Sequence, residues 1–138
     1  MDCTSPPFRK FADGTVRDSA QRHIRVYPDV PQIMDHVQER GLETAIASRT
    51  DKPNWAREVL DLLDYRNRFG YEEIFPSSKI AHFTNLHRDT DIPFEEMLFF
   101  DDERRNIVEV GALGVKCVEV SNGMSWDLYQ NGLSLFEV

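Results

Sequence analysis

Met97-Leu98-Phe99-Phe100-Asp101-Asp102 decides the fold. Apolar residues ending in two carboxylates read as a buried parallel strand delivering both acids to the carboxyl edge of a sheet, where ligands of open α/β sheets bind. Adjacent carboxylates repel, and one tends to protonate unless a cation holds both. A hard, oxygen-seeking cation such as magnesium is the economical partner. Taken alone, Asp101-Asp102 fits a capped helix start as well as it fits a metal site.

Outward from this strand the chain alternates. Arg104 to Ala112 reads as a helix, Val115 to Val120 as a strand and Trp126 to Phe136 as a closing helix. Upstream, Val30 to Arg40 places Ile33, Met34 and Val37 on one helical face, with Gly41 as a stop. Thr44 to Ala47 is a short strand ending at Ser48-Arg49-Thr50, and Asp51 to Leu63 a helix burying Val59, Leu60, Leu62 and Leu63. Glu73 to Phe75 is a brief strand, and Ser77-Ser78 a cap for the helix through Ile80, Phe83, Leu86 and His87. Alternation of this kind defines an α/β, doubly wound parallel sheet. The first 28 residues are polar and turn-rich, and Asp13-Gly14 signals a β-hairpin, so residues 1–28 read as a flap and 29–138 as the core of one domain.

With 138 residues and a formal charge of −8, the chain suits one compact domain and has no basic stripe for nucleic acid or anionic membranes. No segment has the length and apolarity of a membrane span or a signal peptide. Cys3 and Cys117 read as reduced thiols, which sets cytoplasm, or nucleus, as the expected location. His82 and His87 are five apart, off a shared helical face, which argues against zinc.

Three elements fall at strand ends or helix starts. Ser48, where a strand turns into a helix, offers a hydroxyl and backbone N–H groups to an anion, and Arg49 a bidentate grip on phosphate oxygens. Lys79, at the next helix start, offers a fixed positive charge. Singly, Ser48 and Thr50 are ordinary caps and Lys79 a solvated surface residue; a hydroxyl, a lysine and the third element, the acidic pair Asp101-Asp102, in that order at successive boundaries of one sheet are more than caps alone explain.

Ala47-Ser48-Arg49-Thr50, Ser78-Lys79 and Phe99-Phe100-Asp101-Asp102-Glu103-Arg104-Arg105-Asn106-Ile107 resemble motifs two, three and four of the haloacid dehalogenase (HAD) superfamily, in its magnesium-dependent phosphatase-1 group. Pro6-Pro7-Phe8, Asp13 to Asp18 and Tyr27 to Val30 resemble the segment that follows motif one. The resemblance implies a Rossmann-like sheet with a small flap. It also implies hydrolysis of phosphomonoesters, phosphotyrosine-like aryl or sugar phosphates among them, with Mg2+ as cofactor and a phosphorylated small molecule or phosphoprotein as partner. Ser48 would then hold the phosphoryl group, Arg49 contact phosphate or substrate, and Lys79 balance charge. Asp102, favoured over Asp101, would bind the metal directly, with Asn106 and Arg105 supporting the pair from behind; an exposed helical turn explains those last two equally well.

Members of this group begin with an apolar strand ending in Asp-x-Asp-x-Thr, whose first aspartate is the nucleophile. No such motif occurs in these residues; Asp2-Cys3-Thr4 follows no apolar strand. That strand is central, so without it the strands at Thr44 to Ala47 and Met97 to Phe100 would have unpaired inner edges. The chain by itself is therefore expected to lack turnover. It is also expected to be poorly stable, or to close the gap by rearrangement or dimerisation. A non-catalytic binder of phosphate or phosphoprotein is the alternative function. A phosphoacceptor receiver domain uses similar groups but places its acidic pair first, whereas here it comes last.

Overall fold

The computed structural model describes residues 6–13, 15–21, 23–24 and 26–136, excepting the side chains of 23 and 24. Asp2 and Cys3 lie outside this set. The flap is a three-stranded antiparallel sheet, β1 (Arg9–Lys10), β2 (Val16–Arg17) and β3 (His23–Ile24), in that order. Asp13 shapes the first turn by accepting from the Thr15 N–H at 3.0 Å and the Thr15 hydroxyl at 2.6 Å. Phe8 and Val16 are buried beneath the flap, Phe8 edge-on to Trp55.

The core follows the expected alternation: α1 (Val30–Glu39), β4 (Ala45–Ser48), α2 (Pro53–Leu62), β5 (Tyr71–Ile74), α3 (Lys79–Thr90), β6 (Leu98–Asp101), α4 (Arg104–Gly111), β7 (Lys116–Glu119) and α5 (Trp126–Ser134). Gly41, with φ +65°, ends α1: its N–H reaches the Gln38 carbonyl and the Leu42 N–H the Val37 carbonyl, so carbonyls of the last turn find donors beyond the helix. Ser125 caps α5 by accepting from the Leu128 N–H at 3.2 Å. Ser78 departs from expectation: it holds the position before α3, but its side chain makes no capping bond.

The parallel sheet is split. β4 pairs with β5 and β6 with β7, both parallel, and among the described residues the two pairs are not bonded to each other. The register shows which edges stay open. Thr44 and Ser48 give their carbonyls to the Tyr71 and Phe75 N–H groups, so Ala45 and Ala47 face away from β5. Met97 and Asp101 likewise give theirs to Lys116 and Val120, which turns the backbone of Leu98 and Phe100 away from β7. The ends of β4 and β6 nevertheless meet, because Lys79 and Asn106 link them.

This split explains where burial falls short of the sequence reading. A central parallel strand is covered on both faces, yet Ala45 is exposed, Ile46 and Ala47 are half-buried, and only Phe99 of β6 is fully buried. Val59, Leu60, Leu62 and Leu63, expected to be buried, are half-buried, and α2 holds no fully buried residue. The dense core lies in the other half, where Phe83 and Leu86 of α3 meet Phe99, Val110 and Val115. Cys117 packs at its edge, where burial pushes the thiol up to about 11.

α5 packs so closely on β6 that Gly132 has no room for a side chain. A Cβ there would meet Phe100 Cζ at 2.7 Å and Leu98 Cδ2 at 3.0 Å. Gly132→Ala is expected to destabilise by about 1 to 3 kcal/mol, despite a helix-propensity gain of about 1 kcal/mol. Urea unfolding of the two chains measures the difference, and an unchanged or raised midpoint would show that the packing yields.

Candidate active site

Directly after its last apolar pair, Phe99-Phe100, β6 turns at Asp101-Asp102, and the carboxylate of Asp101 closes that turn by accepting from the Asp102 N–H at 2.8 Å. Its other oxygen accepts from Asn106 Nδ2 at 2.7 Å. Asn106, 2% exposed, accepts on Oδ1 from Arg49 Nη1 at 2.9 Å. The amide orientation is dictated, since guanidinium only donates and carboxylate only accepts. Asn106 thus joins the end of β6 to the end of β4.

Lys79 makes the second link. Its ammonium donates to the carbonyl of Ala47, on the open edge of β4, and lies 4.0 Å from Asp101 Oδ2. Lys79 is 5% exposed, contrary to the solvated residue it reads as by itself. Burial pulls its pKa below the ordinary lysine value; Asp101 and Glu103 push it back up, and Arg49 adds to the depression. A buried cation compensated only at 4.0 Å is well suited to receive an anion.

Ser48 and Thr50 build the turn leaving β4: Ser48 Oγ accepts from the Thr50 N–H at 3.3 Å, and Thr50 Oγ1 from the Lys52 N–H at 3.0 Å. Neither occupies the N-cap of α2, which is Lys52. Both therefore shape the approach to the helix, and the Ser48 hydroxyl keeps its proton free to donate.

The structure brings Ser48, Arg49, Lys79, Asp101 and Asn106 to one edge. Arg105 is not with them: one residue before Asn106 is about 100° around a helix, and its guanidinium points to solvent, paired with Glu103 at 3.4 Å. The Asp102 carboxylate is exposed and makes no hydrogen bond or ion pair among the described residues. No three His, Cys, Asp or Glu side chains gather closely enough to hold a metal among the described residues.

Sequence reasoning missed two participants. The Ala47 carbonyl has no side-chain signal. His82, considered in the sequence only as a zinc ligand, is fully buried one turn beyond Lys79, with Nε2 donating to the Phe75 carbonyl at 3.0 Å. Its i+3 spacing from Lys79 was the available signal.

A doubly wound parallel sheet with a hydroxyl turn, a buried lysine and an acidic pair at its carboxyl edge is the core of a HAD-type protein. Comparison with known proteins agrees. The acid phosphatase family profile matches residues 1–138. Human magnesium-dependent phosphatase 1 is 47% identical over 131 residues, 95% of this chain and 74% of the relative. A putative magnesium-dependent phosphatase of Saccharomyces cerevisiae is 34% identical, covering 80% of this chain and 71% of its own length. A HAD family enzyme of Bacteroides thetaiotaomicron, solved with magnesium and inorganic phosphate, superposes with a TM-score of 0.61 at 17% identity, over 75% of this chain. The chain spans 57% of that structure. This chain belongs to the acid phosphatase family of the HAD superfamily, in its magnesium-dependent phosphatase 1 group.

Proposed function

We propose that this chain carries the phosphate- and magnesium-binding edge of a phosphomonoester hydrolase. The observation that carries the reading is the convergence of Lys79, Asp101, Asn106 and Arg49 across the split sheet. Ser48 donates to a phosphoryl oxygen, Arg49 grips another, and Lys79 balances their charge. The donor set suits magnesium, which is held by one or two carboxylates and substrate oxygens while keeping several waters, and it has none of the sulfur or imidazole ligands of a zinc site. Asp102, with Asp101 behind it, would hold the ion, which when bound supplies charge stabilisation at the phosphoryl oxygens. Magnesium dependence is named for the human and budding-yeast relatives.

The described residues offer no aspartate nucleophile at the end of a central strand, so by themselves they bind phosphate without turnover. Aryl phosphates such as phosphotyrosine, or sugar phosphates, are the substrates of the completed site, and the cytoplasm its location. The test extends the chain with an apolar strand ending in Asp-x-Asp-x-Thr and follows magnesium-dependent hydrolysis of p-nitrophenyl phosphate. Turnover in the extended chain alone is expected. Phosphate binding with no turnover in either chain would favour the phosphate- or phosphoprotein-binding alternative.

A further inference from the structure

Among the described residues His82 is the least exposed polar side chain outside the edge already described, and its Nδ1 has no hydrogen-bond partner among them. A core histidine with half its polar atoms unpaired costs stability that an apolar residue of similar volume would not. The bond it does make is informative. The Phe75 carbonyl only accepts, so Nε2 carries the proton. Burial disfavours the charged ring and Lys79 adds to that effect, while the Phe75 and Ser48 backbone groups and Glu73 oppose it. The imidazole also lies against the Phe75 ring, centroids 4.2 Å apart.

Phe75 is the first residue beyond β5, and its own N–H donates to the carbonyl of Ser48 at 3.1 Å. A chain of bonds therefore runs from His82 through the backbone of Phe75, its carbonyl on one side and its N–H on the other, to Ser48, where β4 ends and the hydroxyl turn begins. One turn earlier on α3, Lys79 donates to the Ala47 carbonyl. The first turn of α3 thus holds β4 at Ala47 through Lys79, and at Ser48 through the Phe75 backbone and the nearness of His82 to the Ser48 backbone. With the inner edge of β4 open, these contacts replace some of the restraint a neighbouring strand would give.

We propose that His82 is a positioning residue for the anion-binding turn, setting the place of Ser48 and Thr50 through the Phe75 backbone. This rests on the reading of that turn as a phosphate site. His82→Leu removes the donor at similar volume, whereas His82→Gln keeps an N–H within reach of the Phe75 carbonyl. Inorganic phosphate is titrated into the full chain and each variant, with the Ser48 and Thr50 amides followed by NMR and thermal midpoints recorded alongside. Hydrogen exchange of the Phe75 amide is measured without phosphate.

His82→Leu is expected to weaken phosphate binding about tenfold and to speed Phe75 amide exchange, with His82→Gln restoring both. Unchanged affinity in a folded His82→Leu chain would overturn the proposal, because a residue that only packs would lower the midpoint and leave affinity alone. If His82→Leu does not fold, His82→Asn, whose amide stops short of Phe75, takes its place. No phosphate response in the unsubstituted chain would overturn the site reading instead. Exchange at Phe75 and Ser48 then decides the positioning role, and unchanged exchange in the variant rejects it.

Discussion

Lys79→Met should weaken inorganic phosphate binding by about a hundredfold while changing the stability of the chain far less. The loss follows from chemistry: a charge-assisted hydrogen bond to a dry anion is worth up to about 3 kcal/mol, or roughly two decades in affinity. The stability side follows from burial. Lys79 is 5% exposed, and its nearest carboxylate oxygen is 4.0 Å away, so its ammonium is costly to keep out of water. Methionine has similar reach without the charge. Asp101 is not abandoned by the change, because Asn106 and the Asp102 N–H still bond it. The Ala47 carbonyl does lose its donor, a cost of about 1 to 3 kcal/mol that offsets the relief of no longer burying the charge. Isothermal titration with phosphate, run beside urea unfolding, separates the two effects; an undiminished affinity would remove Lys79 from the site.

The same burial gives a pH signature. Lys79 has a native pKa below its ordinary 10.5, with burial the main cause. Between the lowered native value and 10.5 the unfolded chain binds more protons than the native one, so this group makes stability rise with pH across that window. Below the window both states hold the proton and the full cost of burying it is present. Unfolding free energies from neutral pH to 10.5 should rise less steeply in Lys79→Met than in the unsubstituted chain.

What the sequence disclosed was mostly local. The helices and strands were legible because their apolar spacing and stops are written within a few residues, as at Gly41, where the left-handed residue falls where a glycine stands. Ser48, Arg49, Lys79 and Asp101 were legible because strand ends and helix starts are where an α/β sheet collects its chemistry. Tertiary relations were less so. Asn106 and the neighbouring Arg105 looked alike as polar residues after the acidic pair, but helical rotation buries one in the network and turns the other to solvent. Half-burial of Leu60 and Leu63 could not be read from α2, because it depends on what lies beyond β4. His82 was weighed only against His87, a comparison that tests for zinc and is blind to a backbone carbonyl across the fold.

In a chain extended by an apolar strand ending in Asp-x-Asp-x-Thr, Asp102→Asn is expected to lower magnesium-dependent hydrolysis at least about a thousandfold, the rate equivalent of about 4 kcal/mol of charge stabilisation. The two neighbouring acids are not equivalent. Asp101 already accepts from the Asp102 N–H at 2.8 Å and from Asn106 at 2.7 Å, with Lys79 nearby, so its oxygens are committed to holding the edge together. The Asp102 carboxylate is exposed and bonded to nothing among the described residues, leaving its lone pairs for a cation. The variants should therefore fail differently. Asp102→Asn should keep its thermal midpoint and lose the stabilisation that added magnesium gives the extended chain. Asp101→Asn, which sets an amide against the Asn106 donor, should lose midpoint without magnesium as well. Thermal unfolding of both variants with and without magnesium distinguishes them, and undiminished turnover in Asp102→Asn would mean that the metal is held elsewhere.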